Sequence, residues 1–170
     1  PDDPLQHAGV ITGLGGYAGH SHKYRKRGGS GYLFRTATVQ DLSAVTGACL
    51  LVKTSVWDAV GGLDEQFAVA FNDVDFCLRV RDAGYRIAWT PYAELIHYES
   101  KSRGGDEKDP AKAARFASEQ QRLYHIHGRE NILDDPYYNP NLTRDREDFS
   151  ESDDLRGLKE GKIEVRFRAG

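Results

Sequence analysis

Apolar positions are densest in residues 41–100, and their spacing divides this stretch into strands and helices. Residues 42–53 form an apolar, β-prone run, and Gly47 inside it predicts a bend or a close backbone approach. Residues 54–60 predict a short helix that ends at Gly61, since glycine suits the left-handed position that follows a helix. We therefore expect this stretch to supply the hydrophobic core.

A second helix is predicted to begin at Asn72 or Asp73, because either side chain can cap a first turn. Val74 begins an apolar face with the i, i+3, i+4 spacing of a helix, and Phe76 lies on the opposite side. We therefore expect this helix to be buried on most of its faces. Gly84 is expected to end it.

Four further elements are predicted outside these two helices. Strands are expected at residues 8–12, 86–90 and 93–98, where β-prone apolar residues are bounded by turn residues. A polar loop follows, and Pro110 then opens a helix over residues 110–127 that ends at Gly128. This mixture of elements indicates an α/β fold, or an α+β fold if the chain is a fragment.

Charge is distributed unevenly along the chain. Residues 4–40 contain no acidic side chain. The basic run 20–27 within them can bind a phosphate or an acidic glycan, although a solvated loop is the simpler interpretation. Residues 129–170 hold 11 acidic and 8 basic residues, so we expect an extended surface tail with one half-buried strand at 162–168. The predicted division therefore lies after residue 128.

The composition excludes several classes of protein. The 170 residues are 39% hydrophobic and 29% charged, which is typical of a soluble domain. No apolar run approaches the ~20 residues of a membrane span, and no signal peptide is visible. A net charge of −3 is too balanced to predict nucleic acid as the partner. Because the chain lacks methionine, we expect it to be a piece of a longer protein.

The residue types that bind metals or react as thiols are scattered. Cys49 and Cys77 are too few for a disulfide scaffold or a two-pair zinc module, and we expect buried free thiols in a reducing compartment. His97 ends a predicted strand and is a candidate metal ligand or proton carrier, although such a lone histidine is usually structural. The pairs His20-x-His22 and His125-x-His127 are incomplete as ligand sets and are expected not to bind metal.

The strongest candidate for chemistry is the sequence Asn72-Asp73-Val74-Asp75 at the start of the second helix. The simpler interpretation is structural: one carboxylate caps the helix and the other complements its dipole. The preceding residues 67–71 are all apolar, so the pair lies at the edge of a core, where partial removal from water can turn a carboxylate into a general base. The two interpretations carry equal weight on these residues alone.

Four blocks of sequence, in this order, carry a resemblance to a known family. They are VTGACLLVK at residues 45–53, VWDAVGGLDEQF at 56–67, FNDVDFCLRVRDAGYR at 71–86 and PYAELIH at 91–97. Their order and spacing resemble glycosyltransferase family 2, in the second half of the catalytic domain of bacterial enzymes that assemble O-antigen and other surface polysaccharides. The resemblance is close over about residues 40–105.

The resemblance implies a GT-A fold, with a mixed sheet and flanking helices, of which this chain is the C-terminal half. It implies an inverting transfer from a nucleotide-diphosphate sugar and a divalent metal, Mn²⁺ or Mg²⁺. Asp73 matches the family's general base, which takes a proton from the acceptor hydroxyl, and His97 matches a histidine that completes the metal site. The implied substrate-binding residues are Asn72 (where the family often has Glu), Asp75, Gly47 and Ala48. Ser102 and Arg103 are added to them on the basis of charge and of their position on the loop after His97.

Within these roles, Asp75 is expected to hold the helix start or an acceptor hydroxyl. Gly47 and Ala48 are expected to let the backbone approach a sugar, and Ser102 and Arg103 to close over the diphosphate.

The family's donor-binding half, with its D-x-D metal motif, has no counterpart in residues 4–40. We therefore expect the chain alone to lack transferase activity, and its exposed face to favour self-association. The expected partners are a nucleotide sugar and a glycan acceptor, in the cytoplasm or at the inner face of the membrane. The alternative is a non-catalytic carbohydrate-binding or interaction module, in which the cationic run, the Tyr137-Tyr138 pair and Tyr92 bind an acidic glycan.

Overall fold

The structure is a computed structural model that describes residues 4–96 and 109–153. In chain order, its strands and helices are β1 (Val10–Thr12), β2 (Ala18–His20), β3 (Gln40–Leu42), α1 (Thr54–Val60), α2 (Asn72–Asp82), β4 (Ile87–Trp89), α3 (Pro110–His127) and α4 (Arg129–Leu133). Three short 3-10 turns lie at Leu14–Gly16, Tyr32–Phe34 and Gly47–Cys49. None of the described helices is long and apolar enough to cross a membrane.

The described strands form two small antiparallel sheets. β1 pairs with β2, with Val10 opposite His20, and β3 pairs with β4, with Gln40 opposite Trp89. A single bridge between Val10 and Ala44 joins the two sheets. The predicted combination of helices and strands is confirmed, whereas the large mixed sheet implied by the family resemblance is not seen in the described residues.

α2 lies in the main hydrophobic core. Its apolar residues Val74, Phe76, Cys77, Leu78 and Val80 are all buried and pack against side chains of α1, α3, α4 and both sheets. The helix ends at Asp82, and the backbone then turns through a positive φ of 85° at Gly84. The prediction of a helix buried on most faces is confirmed, as are α1 and α3 with their glycine ends.

The strand predicted over residues 42–53 is wrong beyond its first residue, apart from an isolated bridge at Ala44. β3 ends at Leu42, and a 3-10 turn at Gly47–Cys49 follows, with the Thr46 hydroxyl accepting a hydrogen bond from the Ala48 N–H. The side chain of Leu51 is 99% exposed. A short apolar run resembles a buried strand, but here its second half lies at the surface, and the bend predicted at Gly47 is the 3-10 turn.

The segment between residues 86 and 98 also departs in part from prediction. The strand expected at 86–90 is confirmed as β4. Residues 93–96 form no strand, and both Leu95 and Ile96 are exposed, so the second predicted strand is wrong over its described part. A further strand, β2, lies where no strand was predicted. The strand expected at 162–168 lies outside the described residues.

Residues 129–153 are not an extended surface tail. α4 contributes the fully buried side chain of Ile132 to the main core, and Tyr138 and Phe149 are buried in a second apolar cluster with Ile11. Gly13 approaches α4 so closely that a Cβ there would lie 2.6 Å from the Leu133 carbonyl oxygen. The high charge density of this segment gives no sign of these buried residues, because a few apolar side chains are enough to attach a segment to the core when each one is buried. The division after residue 128 stays a prediction.

Asp135 joins this C-terminal segment to β1 and to the residue that follows β3. Its carboxylate is 2% exposed and accepts hydrogen bonds from the Thr12 N–H (2.8 Å), the Ser43 hydroxyl (2.7 Å) and the Tyr137 N–H (2.8 Å). The Ser43 hydroxyl in turn accepts from Arg81 of α2 at 3.1 Å. A buried carboxylate is tolerated only when such donors replace its water.

His22 is buried in the second apolar cluster as a neutral ring. Its Nε2 accepts a hydrogen bond from the Tyr32 N–H at 3.1 Å, so Nδ1 carries the proton and donates to the Ser21 hydroxyl at 2.6 Å. Burial, together with the positive charges of Arg35 and Arg25, lowers the pKa of His22 to about 4.

We expect Asp135→Ala to lower the free energy of unfolding by about 3 kcal/mol, because three buried donors lose a charged acceptor. Urea denaturation measures the change. The matched control is Asp134→Ala: this neighbouring acid is exposed and pairs with Arg144, so the expected loss is below about 1 kcal/mol. Equal losses in the two variants would show that the Asp135 network does not join the segment to the core.

The buried neutral His22 predicts a pH dependence of stability. The pKa of His22 is lower in the folded chain than in the unfolded chain. The stability that the neutral ring allows is therefore fully present above the unfolded pKa of 6.5, and it is lost as the pH falls toward 4. The loss amounts to at most about 3 kcal/mol. Unfolding measured between about pH 7 and pH 4.5 is expected to be less pH-dependent in His22→Gln than in the unsubstituted chain. His125→Gln, which alters an exposed ring, should keep the original slope; a His22→Gln slope that matches it would contradict this account.

Candidate active site at the start of α2

The residue that precedes the first turn of α2 has an unusual backbone conformation. Phe71 occupies the N-cap position with a positive φ of 64°, a conformation that is uncommon for an aromatic residue. Asn72 and Asp73 therefore lie inside the first turn and do not cap it as predicted. The Asn72 side-chain oxygen accepts from the Asp73 N–H at 2.8 Å, and Asp73 Oδ1 accepts from the Val74 N–H at 2.9 Å.

The 3-10 turn at Gly47–Cys49 lies directly against Asp73. The Gly47 N–H donates a hydrogen bond to Asp73 Oδ2 at 2.8 Å. A Cβ on Gly47 would lie 3.4 Å from the Cβ of Asp73, which is close contact. The structure thus brings together Gly47, Ala48, Asn72 and Asp73, four of the residues predicted to form the site.

The carboxylate of Asp73 remains accessible from one side. Asn72 and Asp73 are half-buried, while Gly47 and Ala48 are exposed. Each carboxylate oxygen can accept two hydrogen bonds, and the described contacts use one position on each oxygen of Asp73. The carboxylate is therefore held in place by the backbone and still has capacity to accept a proton.

Asp75 lies on the other side of the same turn and is directed into the protein. Its side chain is 1% exposed, and Oδ2 accepts from Arg79 at 2.7 and 3.0 Å while Oδ1 lies 2.9 Å from His127 Nε2. Burial opposes ionisation, but hydrogen bonds from His127 and Arg79 outweigh it and hold the pKa of Asp75 below its usual value. Its role in acceptor binding stays a prediction.

Arg79 connects this carboxylate to the end of α1. Its guanidinium donates to the carbonyl oxygens of Val60 at 2.5 Å and Gly62 at 2.8 Å. The i, i+4 spacing of Asp75 and Arg79 is the sequence signal for such an ion pair on a helix. The sequence gives no signal for the contact with His127, because 52 residues separate it from Asp75.

Glu119 of α3 holds the segment before α2. Its carboxylate is buried and accepts hydrogen bonds from the N–H groups of Ala70 at 2.6 Å and Val69 at 3.3 Å. These two donors immediately precede the left-handed Phe71. Glu119 was not predicted as part of the site, since a single acid within a predicted helix gives no signal of its partner.

Three predicted site residues, His97, Ser102 and Arg103, lie outside the described residues. Within residues 4–96 and 109–153 there is no group of three or more histidine, cysteine or acidic side chains able to hold a metal ion. The described part of the site therefore consists of one accessible carboxylate, an adjacent amide and a glycine-containing turn.

The two cysteines differ in their surroundings. Cys77 is fully buried, as predicted, and burial raises the pKa of its thiol to about 11. Cys49 is exposed, so the prediction that it is buried is wrong. It lies in the turn that contacts Asp73, which makes it a natural chemical reporter for this site.

Comparison with known proteins finds two relatives that match most of this chain. An uncharacterized protein, y4gI, of Sinorhizobium fredii is 50% identical over 153 residues, covering 88% of this chain and 16% of that protein. The O-antigen biosynthesis protein RfbC of Myxococcus xanthus is 35% identical over 145 residues, covering 84% of this chain and 11% of that protein. The chain thus spans only a small part of these relatives.

A shorter match is found with N-acetylglucosaminyl-diphospho-decaprenol L-rhamnosyltransferase of Mycobacterium tuberculosis, which is 39% identical over 67 residues, or 39% of this chain and 21% of that enzyme. No family model matches the chain. No solved structure matches it either. The names of the relatives point to glycosyltransferases, and no structural neighbour tests the GT-A assignment.

We expect one thiol, Cys49, to react with iodoacetamide in the native chain. Cys77 should react only on unfolding, because burial and its raised pKa both suppress the thiolate. Mass spectrometry of peptides after timed alkylation measures both residues, and the Cys49→Ser variant serves as the control that removes the fast reaction. Alkylation of Cys77 in the native chain at a rate similar to that of Cys49 would contradict the described core.

Proposed function

We propose that this chain forms the acceptor-side part of a glycosyltransferase that moves a sugar from a nucleotide-diphosphate donor to a growing surface polysaccharide. Asp73 is the general base in this proposal. The observation that carries it is the accessible Asp73 carboxylate, fixed between the Gly47 N–H and the first turn of α2. The names of the relatives, RfbC and the rhamnosyltransferase, support sugar transfer as the reaction class.

The proposed step is a direct displacement at the anomeric carbon of the donor sugar. The acceptor hydroxyl oxygen forms a bond to this carbon while the bond to the diphosphate oxygen breaks, and the electron pair leaves with the nucleotide diphosphate. The hydroxyl proton passes to Asp73. Attack from the face opposite the leaving group inverts the configuration at the anomeric carbon.

The neighbouring groups serve to orient Asp73. A general base must lie within hydrogen-bond reach of the proton that it removes, so its position matters as much as its basicity. Gly47 and the Val74 N–H fix the two carboxylate oxygens. The exposed backbone of Gly47 and Ala48 offers a surface with little side chain, where a sugar ring can approach.

The donor and the metal are expected to be held mainly by other parts of the protein. Residues 4–40 carry no acid for a D-x-D motif, and the described residues supply no complete ligand set. The described residues therefore do not by themselves fit a metal ion; in the proposal His97 contributes one ligand. In this proposal the chain alone does not transfer sugar.

Such an enzyme would act where nucleotide sugars are made, so we propose a cytoplasmic location, at the inner face of the membrane. The partners are then the nucleotide sugar and the glycan acceptor. Self-association through the face that the donor-binding part would cover belongs to the same proposal.

In the full-length protein, Asp73→Asn is expected to lower kcat by about 10²–10⁴-fold, the usual contribution of a general base. Donor affinity should change by less than about twofold, because the base acts in the transition state. Turnover is measured with a nucleotide-diphosphate sugar selected by screening, and donor affinity by calorimetry. The matched control is Asp82→Asn, at the exposed far end of the same helix, which should keep full activity. Retained turnover in Asp73→Asn, or an equal loss of donor affinity, would exclude Asp73 as the base.

A further inference from the structure

A two-lobed cleft lies away from Asp73, between the cationic segment near the start of the chain and the segment that follows α4. The lobes have volumes of about 460 Å³ and about 370 Å³ and share the side chains of Tyr32 and Phe149. These two rings are stacked, with centroids 5.1 Å apart and an angle of 14° between their planes. The two lobes are therefore neighbours on either side of an aromatic ridge.

The larger lobe is cationic. It is lined by Arg25 and Lys26, both exposed, together with the neutral ring of His22. One acid, Asp148, also lines it, but the Asp148 carboxylate accepts hydrogen bonds from Ser150 and lies 3.5 Å from Arg146 Nε. The acid is thus already paired, and the lobe keeps a net positive charge that favours an anionic group.

The smaller lobe is aromatic. Tyr137 and Tyr138 line it together with Pro136 and Pro140. Arg35 also lines this lobe and donates a hydrogen bond to the Tyr137 carbonyl at 3.1 Å, which fixes the segment that carries the two tyrosines. Ligand pockets typically combine such apolar, aromatic walls with a few placed polar groups.

We infer that this cleft binds an acidic saccharide, with its anionic group at Arg25 and Lys26 and its sugar ring against Tyr32 and the aromatic lobe. A sugar ring is amphipathic, since its C–H faces suit aromatic surfaces and its hydroxyls suit polar rims. A carboxylate or a phosphate on the sugar supplies the charge that arginine and lysine recognise. Tyr32 stacks on Phe149, is only half-buried and lines both lobes, so part of its side chain can meet a ligand.

This site is independent of the proposed transfer reaction. None of the residues that line the two lobes contacts Asp73 in the structure. In an enzyme that extends a polysaccharide, such a site would hold the growing acidic glycan while its end reacts elsewhere. A single-strand nucleic acid is a poorer fit, because the described cleft offers one aromatic ridge in place of the repeated platforms on which successive bases stack.

Calorimetric titration of the 170-residue chain at about 0.15 M ionic strength tests the inference. The probes are trigalacturonate and glucose 1-phosphate, which carry a carboxylate and a phosphate respectively, with neutral maltotriose and inorganic phosphate as the comparisons. We expect at least one acidic sugar to bind at least tenfold more tightly than both comparison probes. The tighter of the two acidic probes identifies the preferred anion.

Variants then locate the binding. Lys26→Gln is expected to weaken acidic-sugar binding at least fivefold, while Lys23→Gln, which removes the same charge three residues away and outside the cleft, should change it less than twofold. Tyr32→Ala should weaken binding at least tenfold and Tyr32→Phe less than threefold, because the ring itself is retained. Asp73→Asn should leave binding unchanged, so failure of the catalytic proposal and failure of this one can be told apart.

Three results would overturn the inference. The first is that no acidic sugar binds more tightly than maltotriose. The second is inorganic phosphate binding as tightly as the sugars, which would indicate an anion site without sugar recognition. The third is an equal effect of Lys23→Gln and Lys26→Gln, which would indicate unspecific attraction to the cationic segment. Because Lys26 is exposed, the Lys26→Gln variant is expected to fold normally, so weaker binding in this variant would not be a result of unfolding.

Discussion

The buried carboxylate of Asp75 is the constraint on which the arrangement of the main helices depends. An uncompensated charge at this depth would cost several kcal/mol. The structure compensates it with Arg79 from the same helix and His127 from the end of α3. Because Arg79 also binds two carbonyl oxygens at the end of α1, three helices are held in register around one carboxylate.

That register determines where Asp73 lies. The two acids are separated by one residue in the first turn of α2, so fixing Asp75 toward the interior leaves Asp73 at the protein's surface, beside Gly47. Glu119 also supports this turn, because its carboxylate binds the backbone N–H groups just before Phe71. α3 therefore supports the candidate base twice, through Glu119 and through His127, although neither residue is in contact with it.

The sequence predicted the features that depend on neighbouring residues. Helices α1, α2 and α3 follow from apolar spacing, proline and glycine, and the Asp73 site from two acids at a helix start. What it missed depends on contacts across the chain. Asp135 binds a partner 123 residues away, and Asp75 binds His127, which is 52 residues away. Such pairings have no local signature, and a few buried anchors such as Ile132 are easily concealed in a charged segment.

The central claim is that Asp73 removes the proton from the attacking hydroxyl. The most direct measurement is a crystal structure of the full-length protein with a non-hydrolysable nucleotide-sugar analogue and an acceptor glycan. The account predicts that the reacting hydroxyl lies within about 2.6–3.2 Å of an Asp73 oxygen, with Gly47 still donating to the other oxygen. An acceptor whose reacting hydroxyl instead contacts a different acid or histidine, with Asp73 bonded only to backbone, would contradict it.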